Sequence, residues 1–142
     1  MLHLLRPAAV LLAACVLFAG CGGGPDLATV RGVVLLDDKP LSTGTVNFIP
    51  ADGGPAASGE ISADGSFELQ TKDVGRGALV GKHRVAVVAF KSATWPPNYD
   101  QTDGQQDSGA LVPAHYGIAD SSGISFEVEP GQNEFTIELS SN

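Results

Sequence analysis

The chain has two thiols, Cys15 and Cys21, and both stand in or beside the apolar run at residues 8–19, just ahead of Gly22-Gly23-Gly24-Pro25-Asp26. With no cysteine in the body of the protein, neither a disulfide framework nor a CxxC metal site is available. Asp100, Asp103 and Asp107 offer hard oxygens for calcium. Calcium takes six to eight oxygens, and their spacing does not match the EF-hand loop, so a solvated acidic loop is the simpler reading and no metal is expected. Tyr99, Tyr116, His83 and His115 are donor types that can hold ferric iron. Such a site needs four converging side chains held by supporting bonds, whereas adjacent residues such as His115 and Tyr116 tend to diverge. Trp95, next to Pro96-Pro97, is with Tyr99 and Tyr116 a candidate for stacking on a sugar or peptide. The plainer role for Trp95 is a lid over one end of the domain. No G-x-S-x-G elbow, HExxH or HxxE occurs, so no enzyme and no cofactor is expected.

The amino terminus carries the address. Residues 1–6 bring one cation, and residues 8–19 are almost wholly apolar but short for a membrane span, with small residues just before Cys21. That is the pattern of a secretory signal. Phe18-Ala19-Gly20-Cys21 resembles the lipobox of bacterial lipoproteins. The resemblance implies that the Cys21 thiol takes a diacylglyceryl group, that the chain is cut before it and that the new amine is acylated. Phe18 stands where leucine is usual. Leu12-Ala13-Ala14-Cys15 fits the box better, yet would leave Val16, Leu17 and Phe18 on the mature end. Cys21 is therefore preferred. More than one acyl chain gives stable anchoring at about 0.8 kcal/mol per buried CH2. The expected organisation is residues 1–20 as signal peptide, 21–27 as lipidated cysteine and flexible tether, and 28–142 as one domain. The expected address is the cell envelope, at the outer membrane or a periplasmic face, since Gly22 is not the aspartate that retains many such proteins at the inner membrane.

Composition bounds the partners. Of 142 residues, 43% are hydrophobic and 17% charged, which suits one globular domain rather than a disordered chain. The formal charge is -8, and without residues 1–20 it becomes -9, from 7 basic against 16 acidic residues. Such a surface repels phosphate backbones, and no basic cluster offsets it, so nucleic acid is not an expected partner.

After residue 26 the pattern is alternation broken by Gly, Pro and Asp, as in strands and turns. TVRGVVLL (29–36) is β-rich and turns at Asp37-Asp38-Lys39-Pro40. GTVNFIP (44–50) places Val46 and Phe48 on one face. SGEIS and SFELQ flank Ala63-Asp64-Gly65 as a hairpin, with Phe67 and Leu69 sharing a face. KHRVAVVAF (82–90) is apolar almost throughout and reads as a central strand covered on both sides. ISFEVEPGQNEFTIEL reads as a last hairpin, with Ile124, Phe126, Val128, Phe135, Ile137 and Leu139 inward. These segments predict an all-β fold, a seven-stranded antiparallel β-sandwich. Residues 91–122 lack alternation and form a long loop, of a length that is usually functional. Its tip is expected at 101–108, with Val112 and Tyr116 packing back onto the sandwich.

RGVVLLDDKPLSTGTVNFIP, ASGEISADGSFEL and VGKHRVAVVAF together resemble the carboxypeptidase regulatory-like, transthyretin-like (prealbumin-like) domain, most closely the version in small planctomycete lipoproteins. That family's pattern falls on Gly32 to Phe48, Asp64 to Phe67, Gly81 to Val85 and Pro113 to Ile124, covering nearly all of the mature chain. Departures are Asp38 for glycine, His83 for tyrosine, His115 for lysine and Ile124 for leucine. The resemblance implies a seven-stranded sandwich at the cell envelope and brings no catalytic residues. The expectation is a non-catalytic, lipid-anchored β-sandwich serving as a structural, adhesive or protein-interaction module, whose partners are the membrane and an envelope protein or glycan. The alternative is a glycan- or peptide-binding module that uses the 91–122 loop, with or without calcium.

Overall fold

A computed structural model of the chain describes residues 24–91 and 109–142. Strand β1 (Leu27–Leu36) shows how the residues choose their faces: Ala28, Val30, Gly32 and Val34 are buried, while Arg31 is exposed. The strand ends where Asp37 and Asp38 take positive φ (49° and 66°), the backbone of a two-residue turn that suits a right-twisted ribbon. β2 (Lys39–Pro40) returns along β1, and Leu36 pairs with Lys39.

Two sheets result. In one, β1 is flanked on one side by β11 (Gln132–Leu139). Along its other side lie β8 (Ala78–Leu79), β5 (Ser66–Glu68) and β2. The other sheet runs in the order β10 (Ser125–Val128), β9 (Gly81–Val88), β3 (Thr45–Pro50), β4 (Ala57–Glu60), β6 (Gln70–Thr71), β7 (Gly75–Arg76). The described residues contain no α-helix, only a 3-10 turn at Ala114–Gly117. The fold is all-β, with two sheets closed on a shared core.

That core draws on both sheets. Val30, Val34, Phe67 and Ile137 meet Val46, Phe48, Leu69, Val85 and Val87 in one buried cluster. Phe48, fully buried, is its hub. The rings of His83, Phe126, Phe135 and Phe67 lie 5.8, 6.0, 6.0 and 6.4 Å from it. Gly32 fits here because of close approach: a Cβ at that position would lie 2.0 Å from the Phe135 carbonyl oxygen and 2.9 Å from the Phe67 ring.

The topology corrects three expectations. β1 and β11 run parallel, Thr29 opposite Gln132 through Leu36 opposite Leu139, so the sandwich is antiparallel-rich rather than wholly antiparallel. The segment 124–139 is not a hairpin: β10 pairs with β9 and β11 pairs with β1, so the Pro130-Gly131 turn crosses between sheets. Its inward residues still face the core. Val128, Ile137 and Leu139 are buried, and Ile124, Phe126 and Phe135 are half-buried against it. The Asp64-Gly65 turn does form, with the Ser62 N–H donating to the Ser66 carbonyl at 2.8 Å, but its return strand is shared between sheets. β5 pairs with β1, whereas Gln70 and Thr71 in β6 rejoin β4. Gly59 allows this, because a Cβ there would stand 2.5 Å from the Glu68 carbonyl oxygen.

β9 is interior as expected, between β10 and β3. Its outer face alternates at first, with Lys82 and Arg84 exposed, and becomes buried at Ala86.

The registers define two poles. At the entry pole, where β1 begins, Asp26 accepts the Val80 N–H and Gly131 accepts the Thr29 N–H. At the far pole, Leu139 accepts the Asp37 N–H and Val34 accepts the Leu41 N–H. Gly44 there packs against Ala89, at the end of β9.

Candidate functional site

Residues 89–91 and 109–111, on either side of the undescribed 92–108, lie at the far pole and are drawn together. Lys91 N–H donates to the Gly109 carbonyl at 2.7 Å and Leu111 N–H donates to Ala89 at 2.8 Å, with Phe90 and Ala110 forming a bridge between them. The chain then turns back over β9. Val112 is buried, and Pro113 starts the 3-10 turn, its carbonyl accepting the Tyr116 N–H at 3.1 Å. Buried Ser122 pins the end of the segment. Its hydroxyl donates to the Val85 carbonyl at 2.5 Å and accepts the Ile124 N–H at 3.2 Å. An Arg84–Asp120 ion pair adds a second tie across the same face. These contacts cover the outer face of β9 at Ala86, where the apolar run Val85 to Val88 lies, and leave Lys82 and Arg84 exposed.

Between β9 and this returning segment lies an open cleft of about 300 Å³, lined by Val88, Phe90, Ala110, Val112, Pro113 and Ile118 among others. Phe90 and Ile118 are 55% and 60% exposed, the two most exposed large apolar residues among those described. No signal in the sequence marked them, because each sits in a stretch that pattern alone assigns to core or loop. The cleft can take an apolar group by burial, and its lining among the described residues holds no acid, base or nucleophile.

The expected site residues divide. Cys21, Trp95, Tyr99, Asp100, Asp103 and Asp107 lie outside the described residues. Tyr116 is half-buried against the core as expected, its hydroxyl accepting the Ser140 N–H at 3.1 Å; its ring lies 4.0 Å from that of His115, so these adjacent side chains converge rather than diverge as expected. His115 is exposed on the turn, whereas His83 is buried in the core beside Phe48, so the two histidines occupy different surroundings. His83 Nε2 lies 2.6 Å from the Leu79 carbonyl and must donate to it, while its Nδ1 is buried without a partner. Among the described residues, no group of three or more His, Cys, Asp or Glu could hold a metal ion. The remaining buried polar side chain among the described residues, Thr71, donates to the Gly77 carbonyl at 2.8 Å.

Two exposed carboxylates at the far pole are held below their ordinary range. Asp37 is lowered by hydrogen bonds from Ser141, through its side chain and then its backbone amide. Asp64 is lowered in the same way by the side chain and amide of Ser66. Both bonds favour the ionised form.

No protein-family model, no curated protein and no solved structure matches the chain.

Proposed function

We propose that the chain is a non-catalytic, lipid-anchored protein of the cell envelope. It is a transthyretin-like sandwich tied to the membrane through acyl groups on Cys21, presenting its far pole to an envelope protein or glycan. The seven strand segments of three residues or more, β1, β3, β4, β5, β9, β10 and β11, are read as its framework. The observation that carries the reading is the separation of the poles. β1 starts six residues after Cys21, a reach of at most about 20 Å, so the entry pole is the end held near the bilayer. The cleft and the loop roots lie at the other end, pointing away from it. Among the described residues the buried polar side chains Thr71, His83 and Ser122 each bond a backbone carbonyl, which supports a structural use, although His83 Nδ1 stays without a partner.

A second reading is favoured by the exposed Phe90 and Ile118: the cleft and the 91–122 loop together bind a glycan or an apolar peptide, with or without calcium. Fractionation tests the first reading. Cys21→Ser should move the protein out of the membrane fraction or leave an unprocessed precursor, and Cys15→Ser should leave its location unchanged. The reverse result would move the anchor to Cys15. No effect of either would remove the lipid anchor.

A further inference from the structure

β11 is the last strand in the order of its sheet, eight residues long and without proline or bulge, and among the described residues it pairs only with β1. The parity of its backbone is fixed by its two ends. Gly131 and Leu139 carbonyls accept from Thr29 and Asp37, so odd-numbered residues turn their backbone groups toward β1. In a regular strand the N–H and C=O groups of Gln132, Glu134, Thr136 and Glu138 then point to the open edge. Those four side chains are also the exposed ones. A long edge of this kind is a template for another strand.

We infer that the β11 edge takes an added strand from a partner segment that is extended, basic on one face and apolar on the other. Charge selects the partner. Glu134 and Glu138 are four residues apart on the outward face, with Thr136 between them. Arg31 stands across from Glu134 on β1, but Leu35 stands across from Glu138. Opposite charges directly across a sheet stabilise and like charges repel. A segment with two lysines or arginines four residues apart meets both carboxylates in one register. A second copy of this chain does not, since an antiparallel pairing centred on Thr136 sets Glu134 of each strand against Glu138 of the other. The inward residues of the added strand would lie beside Phe135, whose ring stacks on Phe126 at 4.5 Å where the two sheet edges meet. Both rings are half-buried, so alternate apolar residues on the partner would complete their cover. The inference is independent of the lipid anchor, because the edge runs between the two poles.

The test is amide hydrogen exchange by NMR on the purified protein, with the blocked peptide Ser-Lys-Val-Thr-Val-Lys-Ser as probe and the same peptide with glutamates for lysines as control. The lysine peptide should slow exchange at Glu134, Thr136 and Glu138, leave the already paired Phe135 and Ile137 unchanged, and bind at least tenfold more tightly than the control. Thr136→Pro should abolish binding while the fold persists, because its N–H faces the open edge. The double charge reversal Glu134→Lys/Glu138→Lys should transfer preference to the glutamate peptide, and serves in place of the proline variant if that one fails to fold. Equal binding of the two peptides, protection without the even–odd alternation, or concentration-dependent protection without peptide, which would show self-pairing, each overturns the inference.

Discussion

Phe48 is the residue whose loss should cost the fold most. It is fully buried and ringed by Phe67, His83, Phe126 and Phe135 at 5.8 to 6.4 Å between centroids. Truncation to alanine removes about 100 Å² of buried apolar surface, or about 2.5 kcal/mol at 25 cal/mol per Å². Four aromatic neighbours cannot all collapse into the space, so a cavity adds about 1–2 kcal/mol. The expected loss is about 4 kcal/mol, on the order of 15 °C in thermal midpoint for a domain of this size. Phe126 is only half-buried, so Phe126→Ala should lose about half as much, less than a fully buried phenylalanine would. Urea unfolding followed by circular dichroism reads both. Since folded domains hold only about 5–15 kcal/mol, Phe48→Leu, expected to lose about 1.5 kcal/mol, keeps the series measurable if the alanine variant does not fold. A loss under about 1.5 kcal/mol for Phe48→Ala, or a larger one at Phe126, would refute Phe48 as the hub.

Gly32→Ala should destabilise by about 3 kcal/mol, the upper end for overpacking, because its Cβ meets the Phe135 carbonyl rather than a side chain that can move; a denaturation midpoint close to that of the parent would contradict this. In acid, the folded-state carboxyls of Asp37 and Asp64 lie below their value of 3.8, so their contribution is complete above pH 3.8 and lost as pH falls through the lowered values. Asp37→Asn/Asp64→Asn should therefore flatten the fall in thermal midpoint between about pH 4 and pH 2 relative to the parent, and an unchanged slope would count against those hydrogen bonds.

Faces were legible in the sequence and pairings were not. Alternation placed Val46, Phe48, Phe67, Leu69, Ile137 and Leu139 inward, and all six are buried. A side chain's face depends on its own strand, which the residues encode locally. Which edge a strand joins depends on segments far away in the chain. The turn at Pro130-Gly131 serves equally to close a hairpin and to cross between sheets. What decides is that β11 runs parallel beside β1, some hundred residues earlier. The same holds for β9, whose outer face is polar and exposed at Lys82 and Arg84 but turns apolar at Ala86 and Val88, where residues 112–122 lie against it. The cleft was illegible for a related reason: Phe90 and Ile118 are far apart in sequence and meet only through the Phe90–Ala110 bridge and the turn after it. Val112 and Tyr116 do pack as expected, but Leu111 and Ile118 beside them are equally apolar, and only the turn after Pro113 leaves Ile118 exposed.

The central claim is that this sandwich is held to a membrane by its first mature residue. Intact mass of the protein recovered from the membrane fraction tests it most directly. The expected chain begins at Cys21 and is heavier than its residues by a diacylglyceryl group and one further acyl chain. A chain that still begins at Met1, or one that starts at Cys21 with no added lipid, would contradict it.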